Sequence, residues 1–111
     1  MQRDRTVRGS EGTLDTTWKA ALVAAPPPEA AQYGETLGLL AAWCRELQRV
    51  AGGRAFFLGT RTVQDRFKLS APLLAWRRLR MLCRLGVLEL VEAGGRRRAS
   101  TFRYRLPLGE P

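Results

Sequence analysis

Histidine is absent from this chain, and cysteine occurs only twice, at Cys44 and Cys83. Two thiols so far apart in the sequence cannot supply the three or four ligands of a zinc site, and the carboxylates show no spacing that would complete one. We therefore expect no structural metal. Because each cysteine occupies an apolar position of a helical pattern, we expect small buried side chains rather than a disulfide, as is usual in a reducing intracellular compartment.

Long apolar runs are missing as well. The apolar segment at residues 20–25 is stopped by three consecutive prolines. No run approaches the roughly 20 residues that a helix needs to span a bilayer. The sequence therefore predicts a soluble, cytoplasmic protein that has no membrane partner.

The acidic residues do not form a catalytic arrangement. Asp4, Asp15 and Asp65 are scattered along the chain, and no two carboxylates face each other within one predicted element. No candidate nucleophile has a base beside it, so the chain offers no site for two-metal phosphoryl transfer. We expect a binding protein that is not an enzyme and needs no cofactor.

Acidic residues are especially scarce in the second half of the chain. From Arg54 to Arg105 there are 13 Lys or Arg and three acids, a balance of +10, whereas residues 1–53 carry six of each sign. Glu110 brings the total to the net charge of +9. A surface that only needs to be solvated does not require this asymmetry. It predicts a polyanionic partner, and nucleic acid fits better than a membrane or an acidic protein.

The length of the chain sets its domain organisation. A chain of 111 residues supports one small domain, with a core built from about 75 residues. We place this domain at residues 35–106. An N-terminal extension, flexible or partly helical, covers residues 1–34, and a C-terminal tail covers residues 107–111.

Two segments make up the N-terminal extension. Residues 1–14 have almost no apolar content, so we expect a mobile tail that buries too little surface to offset its ordering entropy. A short helix is expected from Thr16 or Thr17 to Ala25. Trp18 in this helix either docks on the next helix or belongs to a linker, and the sequence is compatible with both.

The clearest helical pattern runs from Leu37 to Ala51. Its apolar residues recur at the i, i+3, i+4 and i+7 positions, and Gly52 with the glycine after it is a typical stop. We therefore expect the main helix of the core in this segment.

A strand and two short helices are expected next. The apolar run Phe56–Leu58 predicts a brief strand, and Thr60 is then placed to cap a helix that extends to Phe67. Ser70 is placed to cap the following helix, whose first turn tolerates Pro72. Because so few residues separate the two helices, they must cross at a steep angle.

The second of these helices has two distinct faces. The arc expected to face the core consists of Ala75, Leu79, Leu82 and Gly86. The opposite, exposed stripe consists of Leu73, Arg77, Arg80 and Arg84. Met81 flanks this stripe, and Trp76 is expected to pack at the flank of the core. The pattern places three guanidinium groups about one turn apart on one surface.

A hairpin is expected to close the domain. Residues 87–92 are predicted to form a strand whose successive side chains point to alternate faces. Residues 93–98 combine a glycine turn with three arginines. The side chains expected on the core face of the second strand are Phe102, Tyr104 and Leu106. Those expected on its other face are Thr101, Arg103 and Arg105.

The order strand, helix, helix, hairpin is that of a winged helix-turn-helix. The predicted fold is α+β and mostly helical, with a three-helix core and a small antiparallel β wing. An α-helix fits the major groove of duplex DNA, while a basic wing can reach a neighbouring backbone or an A·T-rich minor groove. The residues predicted to bind DNA are Arg61, Arg66, Lys68, Ser70, Leu73, Arg77, Arg80, Arg84, Arg96, Arg97 and Arg98.

Several short segments carry a resemblance to a known family. They are Phe57-Leu58-Gly59-Thr60-Arg61, Leu69-Ser70, Leu79-x-x-Leu82-x-x-x-Gly86-Val87-Leu88, Gly95 and Arg98-Ala99-Ser100-Thr101-Phe102-Arg103-Tyr104. In these, the chain resembles the C-terminal winged-helix domain of plasmid and phage replication proteins, which often follows a primase-polymerase domain. The resemblance covers residues 35–106 and implies DNA engagement at replication initiation or priming, with catalysis located elsewhere.

One departure from that family concerns Lys68, where the family usually has a glycine. A non-glycine residue forced to positive φ at this turn costs about 1 kcal/mol, which a folded domain can tolerate. The bend between the two helices therefore depends on the backbone at Lys68.

Two other functions fit the same sequence. The domain could dock a replication protein partner through Leu73, Trp76 and Met81, because large exposed apolar groups on such a helix also suit a protein surface. It could also be a transcriptional regulator, which would need to dimerise to contact paired half-sites.

Overall fold

The computed structural model describes residues 2–95 and 98–109, with side chains from Gly12 onward. Within those residues the chain is α+β, with five helices and one three-stranded antiparallel sheet. The helices are α1 Gln2–Val23, α2 Pro28–Ala31, α3 Glu35–Ala51, α4 Thr60–Phe67 and α5 Pro72–Arg84. The strands are β1 Phe56–Leu58, β2 Leu88–Glu92 and β3 Ser100–Tyr104.

The first helix is much longer than the sequence pattern predicts. It begins at Gln2 and not at Thr16 or Thr17, so the expectation of an unstructured tail is wrong for residues 2–14. The helix has a buried side against α3, where Thr17 and Ala21 are almost fully covered. Tertiary packing of one face stabilises most helices in proteins, and in α1 this packed face includes Thr17 and Ala21.

The third helix is the centre of the core, as its apolar periodicity predicts. It packs against α1, α2, α5, β1 and β3. Four consecutive residues near its middle, Ala41–Cys44, have no exposed surface. The thiols of Cys44 and Cys83 are both free; Cys44 is buried as expected, whereas Cys83 is only partly buried. Burial raises the pKa of the Cys44 thiol above its ordinary value. No helix in the described part of the chain is long and apolar enough to cross a membrane.

One buried amide, that of Gln48, joins α3 to the sheet. Its Oε1 accepts a hydrogen bond from the backbone N–H of Tyr104 at 2.8 Å. Its Nε2 donates to the carbonyls of Gly52 at 2.8 Å and Arg54 at 2.7 Å. These three hydrogen bonds fix the relative positions of α3, the segment after it and β3. Leaving any of the buried polar groups without a hydrogen-bond partner would cost about 1–3 kcal/mol.

Both predicted helix caps are wrong by one residue. Gly59 is the N-cap of α4, and its carbonyl accepts from the Val63 N–H at 3.2 Å, so Thr60 is already helical. Ala71 is the N-cap of α5, with an extended backbone at φ −153° and ψ 150°. The proline that follows Ala71 disfavours the helical conformation for the residue before it. Ser70 therefore lies one residue too early to cap α5.

The turn between α4 and α5 depends on the strained residue identified in the sequence. Lys68 has φ 54° and ψ 45°, the left-handed helical conformation, and is the one non-glycine residue with positive φ in the described chain. Its N–H reaches the Asp65 carbonyl at 3.3 Å, and the next amide, of Leu69, reaches the Gln64 carbonyl at 2.9 Å. This pair of bonds ends α4 and redirects the chain toward α5.

Replacing Lys68 with glycine should raise the free energy of unfolding by about 0.5–1 kcal/mol. Glycine relieves the left-handed strain of about 1–2 kcal/mol, part of which is offset by the greater entropy of glycine in the unfolded chain. Urea denaturation measures the change. Lys68→Ala is the matched control because it removes the same charge and keeps Cβ. Equal stability of the glycine and alanine variants would contradict the prediction.

The sheet has the strand order β1-β3-β2, with both pairs antiparallel. Phe102 and Tyr104 face the core as predicted. Thr101 was expected on the exposed face, yet it is only 9% exposed. It lies on the central strand opposite Phe57 of β1 and Glu92 of β2, so strands on both sides cover it.

The end of α5 also departs from the sequence pattern. Gly86 was expected to face the core, but it is exposed and has φ 80°. The helix ends at Arg84, with Leu85 as its C-cap. Gly86 therefore terminates α5, as glycine in this conformation commonly does, and the first buried residue after it is Val87.

Candidate nucleic-acid interface

The two faces of α5 are separated as the sequence predicts. Ala75, Leu79 and Leu82 have no exposed surface. Arg77, Arg80 and Arg84 are exposed on the opposite side, and we call these three residues the α5 basic face. Leu73 lies on the same side and is 53% exposed. Because the core-facing residues hold the helix in place, the guanidinium groups can contact a ligand without disturbing the packing.

Trp76 flanks the α5 basic face and is partly buried against the core, as expected. The guanidinium carbon of Arg80 lies over the Trp76 ring, 5.8 Å from its centroid. A cation in this position is attracted by the electron-rich face of the ring, by about 0.5–1 kcal/mol at an exposed site. The contact restricts the Arg80 side chain while leaving it at the surface.

The hairpin brings Arg98 to its outer end. Gly95 and Arg98 form an isolated antiparallel bridge, in which the Gly95 N–H donates to the Arg98 carbonyl at 3.0 Å. Residues 96 and 97 connect the two sides of this bridge, so the predicted contacts of Arg96 and Arg97 lie outside the described residues. The Arg98 Nη2 donates to Glu92 Oε2 at 3.2 Å.

The ion pair between Arg98 and Glu92 is weak enough to be exchanged. Both side chains are about two-thirds exposed, at 67% and 66%. Exposed pairs of this kind contribute about 0–1 kcal/mol, so a phosphate oxygen can replace the Glu92 carboxylate. The sequence pattern did not predict this contact, because it depends on the register of the hairpin.

A cavity of about 250 Å³ connects the hairpin to α5. Its walls come from the start of α4, from α5 and from the hairpin, and include Gly59, Thr60, Trp76, Gly94, Arg98 and Ser100. Trp76 and Arg98 therefore share one cavity, while Arg80 lies over Trp76. This arrangement brings Trp76 and Arg80, at one flank of the α5 basic face, next to the base of the hairpin loop.

Arg66, predicted to contact phosphate, contacts side chains of α1 and α3. Its Nη1 lies 3.4 Å from Asp15 Oδ1, and its guanidinium carbon lies 5.8 Å from the ring centroid of Trp18 and 5.9 Å from that of Trp43. The candidate interface is therefore defined without Arg66. Asp15 is 51 residues away from Arg66 in the sequence, so a local residue pattern could not have predicted this contact.

The carboxylate that holds Arg66 is itself stabilised in its charged form. Lys19 contributes most, through a hydrogen bond and its charge, and Arg66 adds to the effect, so the pKa of Asp15 lies below its ordinary value. The Asp15 side chain is 50% exposed. It therefore acts as a surface anchor that joins α1 to α4.

Three further residues that were predicted to bind DNA lie in α4 or in the turn after it. Arg61 is exposed in the first turn of α4, Lys68 is exposed at its C-cap, and Ser70 is exposed in the turn before α5. No group of three or more Cys, Asp or Glu side chains in the described chain is placed to hold a metal ion. The chemistry available at this surface is that of guanidinium, ammonium and hydroxyl donors.

No family model, no curated protein and no solved structure matches this chain. Its function is therefore argued from the charge and geometry of the residues described above.

Proposed function

We propose that residues 35–106 form a winged helix-turn-helix that binds duplex DNA. In this proposal, α5 is the recognition helix and the loop between β2 and β3 is the wing. The observation that supports it most is that Arg98 shares a cavity with Trp76, whose ring lies under the guanidinium of Arg80. Two cationic elements that lie close together can contact one polyanion at two points.

The chemistry of the α5 basic face fits the major groove. A helix can enter that groove, where guanidinium groups donate in pairs to the O6 and N7 of guanine or to flanking phosphates. Arg77, Arg80 and Arg84 recur at about one turn, so they follow the groove on one side of the helix. Arg61 is a further phosphate ligand in this proposal because it is exposed in the first turn of α4.

We further propose that the domain positions a replication protein on DNA. This part rests on the resemblance of residues 35–106 to the winged-helix domain of plasmid and phage replication proteins. Initiation or priming then requires a catalytic domain elsewhere, and the present residues supply the attachment to DNA.

The salt dependence of duplex binding tests this proposal. If about four to six phosphates are neutralised, the logarithm of the association constant should fall with the logarithm of salt concentration at a slope of about −4 to −5. Fluorescence anisotropy with a labelled duplex between 50 and 200 mM salt, the range over which such contacts change affinity strongly, gives the slope. No measurable binding, or a slope near zero, would reject the proposal.

A second candidate function is docking to a protein partner of the replication complex. A cavity of about 250 Å³ lies on the other flank of α5 and is lined by Leu37, Leu74, Arg77, Arg78 and Met81. Met81 is 40% exposed, so an apolar side chain of a partner could cover it. Met81→Ser should then weaken binding of the partner protein more than it weakens binding of DNA, and the opposite result would reject docking on this flank.

A further inference from the structure

The cavity between α5 and the hairpin has the size of a small ligand fragment. Its volume of about 250 Å³ lies just below the pockets of about 300–1,000 Å³ that hold drug-sized molecules. It is also about eight times the 30 Å³ that one water occupies in the liquid. A single flat ring system fits these limits better than a bound water or an extended peptide.

The walls of this cavity suit a nucleobase. Trp76 lines the cavity with part of its ring, and bases stack on such side chains. The Arg80 guanidinium over this ring is held by only about 0.5–1 kcal/mol, so a stacked base can displace it. Thr60 and Ser100 provide hydroxyl groups. The Ser100 Oγ already accepts a hydrogen bond from the Gly94 N–H at 2.9 Å, so its own proton remains to be donated to a base edge. A purely apolar ligand would leave these groups unused.

The charge around the cavity selects the same class of ligand. Arg98 lines it, and the guanidinium carbon of Arg80 lies 5.8 Å from the Trp76 ring centroid. Arg98 at the cavity and Arg80 beside it can each pair with a phosphate next to a bound base. The +10 balance of residues 54–105 disfavours a cationic ligand here.

We propose that this cavity accepts an unpaired nucleobase, so that the preferred DNA is a duplex with an unpaired base beside it, as at a fork or an overhang. The proposal rests on the DNA-binding function above. A duplex that contacts both α5 and the wing passes the mouth of the cavity. Bases inside the stack cannot reach a pocket on a protein surface, so only an unstacked base can enter.

The test compares three DNA probes of the same duplex sequence: a blunt duplex, one with a short base-containing overhang, and one with an abasic overhang of equal length. The abasic overhang keeps the phosphates and removes the base. Stacking of a base on an aromatic side chain predicts about tenfold tighter binding of the base-containing overhang than of the abasic one. The ratio of these two affinities is the readout in every variant.

Two substitutions should reduce this ratio toward one. Trp76→Leu removes the stacking surface. Gly59→Ala places a methyl group in the cavity, 3.6 Å from Ala99 Cβ and at an ordinary φ of −87°, so the fold accommodates it. Tyr33→Leu removes an exposed aromatic outside the interface and should leave the ratio at about tenfold.

The outcomes separate this proposal from the function on which it rests. A ratio near one in the unmodified protein, together with salt-dependent binding of the blunt duplex, overturns the base pocket and leaves duplex binding intact. A tenfold ratio that survives both Trp76→Leu and Gly59→Ala also overturns it. Failure to bind any of the three probes overturns both proposals.

Discussion

Replacing both Arg77 and Arg80 with alanine should weaken duplex binding by at least about 30-fold. Each arginine that contacts a base edge or a phosphate is worth about 1–3 kcal/mol, or roughly 5- to 150-fold in affinity. Both side chains are exposed, and alanine is the best helix former. The buried residues of α5 stay unchanged, so the loss should appear in binding and not in stability.

A charge-matched control distinguishes a local footprint from a general effect of net charge. Lys19→Ala with Arg54→Ala also removes two positive charges, from exposed sites on α1 and on the loop before β1. This control should change affinity only a few-fold. For Arg77→Ala with Arg80→Ala, the salt slope should also flatten by about 2 if both contact phosphate. Equal losses for the two double variants would show that net charge, and not the α5 basic face, governs binding.

Replacing Trp43 with alanine should lower the free energy of unfolding by about 3–5 kcal/mol. Trp43 has no exposed surface, and its ring lies 4.9 Å from that of Trp18 and 6.5 Å from that of Phe67, measured between centroids. Its Nε1 donates to Thr17 Oγ1 at 3.0 Å. Alanine would leave a large cavity where α1, α3 and α4 meet. Since small domains are stable by about 5–15 kcal/mol, this loss would remove a large share of the total stability.

Urea denaturation followed by circular dichroism measures this loss. Trp43→Phe keeps an aromatic ring and removes the hydrogen-bond donor, so it should cost less than alanine. Tyr33→Ala, at an exposed position, should change stability by no more than about 0.5 kcal/mol. A loss below about 1 kcal/mol for Trp43→Ala would mean that α1 does not share a core with α3.

Local periodicity predicted the elements of the domain well. The apolar stripe from Leu37 to Ala51 marks α3 within two residues of its start, and the run Phe56–Leu58 is β1. The exposed and buried faces of α5 were also correct, except at Gly86. These features follow from the helical repeat and strand alternation, which are properties of neighbouring residues.

Features that depend on distant contacts were not predictable in this way. The packing of α1 on α3 buries Thr17 and Ala21, which are far in the sequence from α3, and the position of Arg66 comes from Asp15 and Trp18. The burial of Thr101 comes from the strands on both sides of it. The N-cap of α5 could have been predicted from local chemistry, because Pro72 disfavours a helical backbone at Ala71. Ser70 was predicted in its place because a serine hydroxyl is a common capping group.

The amide of Gln48 has a consequence for how this architecture can vary. Its three hydrogen bonds reach both ends of the connection from Gly52 to Arg54, as well as β3. A connection one residue longer would move at least one carbonyl out of reach of the same side chain. Insertions between α3 and β1 should therefore destabilise the fold.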